Sequence, residues 1–381
     1  MVALMLGLAA LPTNAQRDKN YYTQVVRLAD GSEVRLLPDN VEKVNVIKDD
    51  DWQQMTIAEF LKYNTSLGVD SANTYVQKGW RHDVLNNENA MQNFWVPTNA
   101  AWNEAKQKLV PYCNYVGKVS YKNSNMGTST ISVDVNSLAL IPILENGLRT
   151  TAPQPILSRQ QVLNGEVTVV ENVPINTVVK EVASTPGSDP SSFVYVQGGG
   201  RLRNSVDVVN GISFVTVEQT TNTGKPTVSA LLPQPLSTTY DIYCVLVPEN
   251  PAYDPSVEEV KANRVNFTLY YSDEYGSLKE HYFPNNDEEA VDNFKEKFPS
   301  ETDSYTIHAF ENDPTKVDTL YVGRWTMPVC YEGLPNEVTP VLSISTPMKF
   351  TSTILRERWA AYTRSIRLAV VILRPVESEN Q

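Results

Sequence analysis

From Phe193 to Val376 the chain repeats one pattern, and that repetition restricts the fold more than any other feature. Eight short runs are rich in β-branched and aromatic residues: Phe193–Val196, Gly211–Val217, Tyr240–Val247, Arg264–Tyr271, Tyr305–His308, Asp318–Val322, Val341–Ser345 and Ser365–Leu373. Turn chemistry separates them, as at Asn222-Thr-Gly224 and Asp273-Glu-Tyr-Gly276. Such side chains suit a pleated, half-buried surface, and many short strands with few helices bury their apolar faces most simply by stacking two sheets. The pattern predicts an all-β sandwich over 193–377 with one helical insertion, Asp287 to Phe298. Gly198-Gly-Gly200 follows the first run. A phosphate-binding loop would need a helix next, and Arg201-Leu-Arg-Asn204 carries no helix signal, so the glycines read as a hairpin or bulge.

The N-terminal half reads as a mixture. Tyr22–Leu28 and Glu33–Leu37 alternate on either side of Asp30-Gly31, which predicts a hairpin within 16–53. Asp49-Asp50-Asp51 reads as a solvated loop. Met55–Tyr63 predicts a helix capped by Thr56, with Ile57, Phe60 and Leu61 on one face. Asn93-Phe-Trp-Val-Pro97 is an apolar strand that passes through Thr98-Asn99, both good capping residues, into a helix reaching Leu109 and stopping at Pro111. Further strands are expected over Ser129–Val135 and Glu166–Val170, the latter entered through the turn pair Asn164-Gly165. Ser184-Thr-Pro-Gly-Ser-Asp-Pro-Ser-Ser192 reads as a linker that neither packs nor holds regular structure.

A length of 381 residues suggests two or three domains, and 41% hydrophobic residues supply at least two cores. The net charge of -12 disfavours nucleic acid and anionic lipid, which reward clustered Lys and Arg. Met1–Gln16 is too short an apolar run to span a bilayer. It resembles the apolar region of a secretory signal cut after Ala15, without a basic leader and with no lipid-attachment Cys after it. Three cysteines, Cys113, Cys244 and Cys330, cannot all pair within the chain. Cys244 and Cys330 lie in strand-like runs and read as small buried hydrophobes, with a bond between them left open.

Asn93 to Trp102 resembles the first signature of fasciclin-type domains, through Phe94, Val96, Pro97, Thr98, Asn99, Ala101 and Trp102. Asn164-Gly-Glu-Val-Thr-Val-Val-Glu-Asn-Val-Pro174 resembles their closing signature. The resemblance covers about a third of the chain and lacks the Tyr-His pair often found between the signatures. It implies scaffolding roles: capping for Thr98 and Asn99, core positions for Phe94 and Trp102. The C-terminal half resembles the β-sandwich tails of fasciclin-containing surface proteins of Bacteroidota, through Leu236–Tyr243, Val247-Pro248, Asp318–Leu320, Pro328–Tyr331 and Arg364–Leu368. Such proteins accompany SusC/SusD-like outer-membrane uptake systems. Asp70-Ser71-Ala72 and Asp318-Thr319-Leu320 resemble the short O-glycosylation sequence of the same phylum.

No motif carries catalytic chemistry. His82, His281 and His308 are far apart in sequence, so a metal site or triad would need distant segments. The acidic stretches Asn285–Glu289 and Glu258-Glu259 lack calcium-loop spacing. Aromatic residues are the better candidates, because Tyr and Trp stack on sugars and proteins while their polar tips stay wet. The candidate contact residues are Trp80, Tyr270, Tyr271, Trp359 and Tyr362.

The expected architecture is α+β: a signal peptide over 1–15, an N-terminal β-hairpin segment over 16–53, a fasciclin-like mixed module over 54–183 and an all-β sandwich over 193–377. The expected role is non-catalytic binding or adhesion by an exported protein, cell-surface, outer-membrane-associated or periplasmic, with SusC/SusD-like proteins or surface glycans as partners. Neither cofactor nor metal is expected, and no transmembrane segment in the mature chain. The alternatives are a glycan-processing enzyme with paired carboxylates and a structural or fimbrial-type subunit.

Overall fold

The computed structural model describes residues 24–27, 33–36, 44–47, 49–125, 127–138, 140–189, 192–202, 207–209, 211–220, 224–249, 260–347, 360 and 362–376. The expected signal peptide, Asp30-Gly31, Glu258-Glu259 and Trp359 lie outside the described residues. In chain order the strands begin with β1 (Gln24–Arg27), β2 (Glu33–Leu36), β3 (Val44–Ile47), β4 (Gln92–Pro97), β5 (Lys118–Lys122), β6 (Thr128–Ser132), β7 (Ile156–Val162) and β8 (Gly165–Val170). They continue with β9 (Val182–Ser184), β10 (Phe193–Gln197), β11 (Gly200–Leu202), β12 (Asp207–Val209), β13 (Ile212–Gln219), β14 (Thr227–Leu231) and β15 (Thr239–Leu246). The last are β16 (Ala262–Ser272), β17 (Leu278–Phe283), β18 (Phe310–Glu311), β19 (Asp318–Thr326), β20 (Val341–Ser345), β21 (Tyr362–Thr363) and β22 (Ile366–Pro375). The helices are α1 (Ile57–Tyr63), α2 (Asp70–Gln77), α3 (His82–Leu85), α4 (Asn99–Leu109), α5 (Val135–Leu138), α6 (Ile141–Arg149), α7 (Ile175–Val178), α8 (Glu288–Lys297) and α9 (Ser304–Ile307).

The chain divides into two compact units, Met1–Ala100 with Thr151–Asn172 and Ala101–Thr150 with Val173–Gln381. In the first, β1, β2 and β3 form an antiparallel sheet, one strand more than the expected hairpin. A 3₁₀ turn over Asp49–Gln54 takes in the acidic cluster read as a loop. Its Trp52 is buried edge-on against Phe60, with ring centroids 5.4 Å apart. The start of α1 is a capping box: Thr56 Oγ1 accepts from Glu59 N, and Glu59 Oε2 accepts from Thr56 N.

The two stretches singled out in sequence lie side by side in this unit. β8 pairs in parallel with β4 from Gln92↔Gly165 to Pro97↔Val170, and antiparallel with β7 on its other edge. Asn164 is fully buried. Its Oδ1 accepts from Ile57 N at 2.8 Å, and its Nδ2 donates to the carbonyls of Leu85 and Asn87 at 3.1 Å each. Gly165 has φ +140°, and a Cβ there would lie 1.7 Å from the Gln92 carbonyl oxygen. The turn pair thus closes the β7–β8 hairpin and lets β4 approach. Asn99 departs from its expected role. Its Oδ1 accepts from Ser71 N at 3.0 Å and its Nδ2 donates to Asp70, so it caps α2, whose own N-cap residue Val69 has no acceptor.

The second unit holds the sandwich. One sheet runs β10-β14-β20-β16-β17, with β18 and β21 also on β16. The other runs β11-β13-β22-β15-β19, with β12 on β13 and β9 on β22. Between the faces lie buried Val217, Ile242, Phe267, Leu342 and Leu368, joined by inward residues of nearly every long strand. β15 alternates strictly between half-buried and buried, as a strand with one core face must. The helical insertion is present as α8, capped by Asp287, whose side chain accepts from Ala290 N.

Three readings change here. The described part of the expected linker, 184–189 with Ser192, is packed: Ser184 ends β9, pairs with Val371 and is buried. Gly187 lies so close to β13 that a Cβ would stand 2.4 Å from Phe214 N. Its glycine serves close approach rather than flexibility. Tyr305–His308, read as a strand, is helical. Thr306 donates from both its backbone N and its Oγ1 to Asp303, and these local bonds override β-branched propensity. Cys330 follows β19 outside any strand, whereas Cys244 sits in β15 within the core.

Candidate ligand-binding cleft

A cleft of about 770 Å³ opens on the sandwich where β16, β18, β19, β21 and α8 meet. Its floor is a charged network anchored by Arg264, on β16 and almost fully buried. The guanidinium donates to the carbonyls of Thr306 and Ile307, the last turn of α9, at 3.2 and 2.8 Å. These are carbonyls that a helix end leaves without intrahelical partners. Arg264 also donates to Glu311 Oε2 at 3.0 Å, and the Tyr362 hydroxyl donates to the same oxygen at 2.8 Å. Phe294, on the inner face of α8, covers the guanidinium with its ring centroid 3.6 Å from Cζ. Burial pulls the Arg264 pKa down while Tyr362 and Glu311 oppose it, and burial pushes the Tyr362 hydroxyl up. Within the group one cation faces one carboxylate.

The rim is polar and accessible. Tyr321, on the edge strand β19, is 49% exposed. Its ring lies 5.4 Å from that of Tyr243, and its hydroxyl donates to Asp241 at 3.0 Å. Asp241 also takes two bonds from Arg324, which, as the leading cause, hold its carboxyl below the ordinary Asp range. Tyr321 is therefore held with a face towards solvent. α8 and the turn before it bring exposed Asn286 and Asn293 to the same cleft. The Lys297 ammonium stands 5.1 Å from the Tyr362 ring.

Two carboxylates line the cleft among the described residues, Asp287 and Glu311. The first caps α8 and the second is held by Arg264 and Tyr362. No group of three or more His, Cys, Asp or Glu that could hold a metal occurs among the described residues.

The candidate contact residues do not come together. Trp80 belongs to the first unit, packs 5.7 Å from Phe94, and buries its indole N–H without a hydrogen-bond partner. Tyr270 is half-buried beneath the Lys122 ammonium, 4.8 Å from its ring. Tyr271 packs on the sandwich core and against Trp325, 5.2 Å away. Tyr362 lines the cleft but is only 5% exposed, because β21 lies parallel to β16 and pairs it with Ala262. It contributes to the floor rather than offering a free face. Arg264, Glu311, Asn293 and Tyr321 were not singled out in the sequence. Tyr321 alone had a local signal, as an aromatic in a run alternating with polar positions.

No family model matches the chain, and no curated protein matches it. Among solved structures, a xylan-binding domain from CBM 22 is 12% identical, with a TM-score of 0.28 over 51% of this chain and 94% of that one. The C-terminal family 22 carbohydrate binding module of Clostridium thermocellum Xyn10B is 12% identical, with a TM-score of 0.28 over 52% of this chain and 94% of that one. A Paenibacillus xanthan lyase is 6% identical, with a TM-score of 0.27 over 70% of this chain and 18% of that one. Likenesses this slight carry no weight for the function.

Proposed function

We propose that this chain is a non-catalytic binding protein whose sandwich cleft takes a neutral glycan. The observation that carries the reading is that an exposed, oriented Tyr321 and the exposed Asn286 and Asn293 line the same cleft of about 770 Å³. A sugar ring offers an apolar face for the tyrosine and hydroxyls for the amides. The floor charges cancel within the Arg264–Glu311–Tyr362 network, so a strongly anionic ligand gains little there. Both carboxylates already serve structural bonds, which favours binding over hydrolysis.

In the wider setting, the chain would be an exported surface protein with a fasciclin-like first module, assisting a SusC/SusD-like uptake complex. Support for that setting is the resemblance of Asn93–Trp102 and Asn164–Pro174, together with their placement on neighbouring parallel strands.

The test is native electrophoresis through gels containing soluble neutral polysaccharides: a β-glucan, a mannan, a starch and a xylan. At least one should retard the protein. Tyr321→Ala and Asn293→Ala should each weaken retardation about tenfold, or about 1.4 kcal/mol. Unchanged mobility in every gel, or equal retardation of the variants, would sink the reading.

A further inference from the structure

Cys113 and Cys330 meet in the second unit, although most of the sandwich sequence lies between them. The segment after α4 runs beside the segment after β19. Cys330 N donates to the Asn114 carbonyl at 2.7 Å, and Asn114 Nδ2 donates to the Pro328 carbonyl at 2.5 Å. The Tyr115 hydroxyl donates to the Glu332 carbonyl at 3.2 Å, and Asn114 N donates to Ser237 Oγ at 2.7 Å. These bonds fix the two backbones against one another and bring Cys330 beside Cys113, within reach of an electrostatic interaction between the two thiols. Cys330 is fully buried, while Cys113 is half-buried. Cys244 is different: it points into the sandwich core, and burial alone raises its pKa.

We propose that Cys113 and Cys330 are a redox pair that closes to a disulfide on exposure to a disulfide oxidant, leaving Cys244 as the unpaired thiol. With oxidised glutathione as the oxidant, the Cys113 thiolate attacks one glutathione sulfur and the other glutathione leaves as thiolate. Cys330 then loses its proton and attacks the Cys113 sulfur, expelling the second glutathione. Two protein thiols are oxidised and one small disulfide is reduced. The two protein protons end on the two departing glutathiones. Burial and the neighbouring Cys113 hold the Cys330 thiol protonated, so the second step is the slow one and quickens as pH rises. The bond closes a loop of more than half the chain, the case in which a cross-link restricts the unfolded state most. The pairing differs from the Cys244–Cys330 bond that the sequence left open.

The test uses the full chain, incubated with oxidised glutathione from about pH 7 to about pH 9, followed by intact mass and unreduced peptide mapping. The expected product has lost two hydrogens, carries a Cys113–Cys330 cross-linked peptide, and leaves Cys244 alkylated only after unfolding. It should form faster at the higher pH and melt about 5–10 °C above the reduced protein. Cys330→Ala should stop at a glutathione adduct on Cys113, and Cys113→Ser should give neither adduct nor shift in melting. Melting of both reduced variants near the parent temperature confirms that they fold. A stable adduct on Cys113 in the parent protein, a cross-link to Cys244, or no reaction would overturn the proposal.

Discussion

Two buried polar side chains do similar work in the two units, and they differ in what surrounds them. Asn164 in the first unit and Arg264 in the second each reach main-chain groups from separate segments. Asn164 is neutral and enclosed, and every group it meets is backbone. Arg264 is charged, leans on Phe294, and shares Glu311 with Tyr362 at the floor of a cleft. The same device serves architecture alone in one place and holds a prospective ligand site in the other. A neutral knot tolerates complete enclosure, whereas a buried cation keeps a carboxylate partner that stays near water.

That contrast is open to test. Arg264→Met keeps much of the side-chain volume but removes five donors, takes the cation from beside Glu311 and strips the Ile307 carbonyl of its guanidinium bond. It should lower stability by about 4 kcal/mol in chemical denaturation and abolish retardation by the bound polysaccharide. A loss below about 1 kcal/mol would show that the network is not the floor's anchor. Asn164→Ala removes the partner of the Ile57 amide and of the Leu85 carbonyl in the buried interior of the first unit. It should lower stability by about 3 kcal/mol while leaving polysaccharide retardation unchanged. A lost retardation would break the separation of roles. Gly165→Ala forces a Cβ into the Gln92 carbonyl and should lower stability by about 2 kcal/mol, again with binding intact.

The smallest expected effect concerns pH. His281 stacks on Trp325 at 4.1 Å, and burial lowers its pKa. The folded state therefore favours the neutral ring. Its contribution is complete above the unfolded value near 6.5 and declines as pH falls below it. The melting temperature should drop by about 2 °C from pH 7.5 to pH 5.5 through this group, a component that His281→Phe removes. An unchanged pH profile in the variant would remove His281 from the account.

How much of this was legible in the sequence follows from how local each cause is. Asn164-Gly165 stood out because a turn pair and a following apolar strand are neighbours in the chain. That Asn164 would bind residues 57, 85 and 87 was not readable, since those contacts exist only after folding. α1 and α4 followed from capping-type residues and apolar spacing that are neighbours in the chain. The packed residues 184–189 misled because Pro, Gly and Ser mark close approach as readily as they mark flexibility. The cleft was nearly invisible. Arg264 reads as the polar opening of an alternating strand, and its partners at 306, 307, 311 and 362 come from three other segments. Tyr362 looked like a surface aromatic, and only its pairing beside Ala262 buries it.

The most direct test of the glycan-binding cleft is hydrogen exchange measured with and without an oligosaccharide of whichever polysaccharide retards the protein. The account predicts protection concentrated in residues 285–297, 310–311 and 319–323, absent in Tyr321→Ala, with none in the first unit. Protection confined to other surfaces, or protection that persists unchanged in Tyr321→Ala, would contradict it.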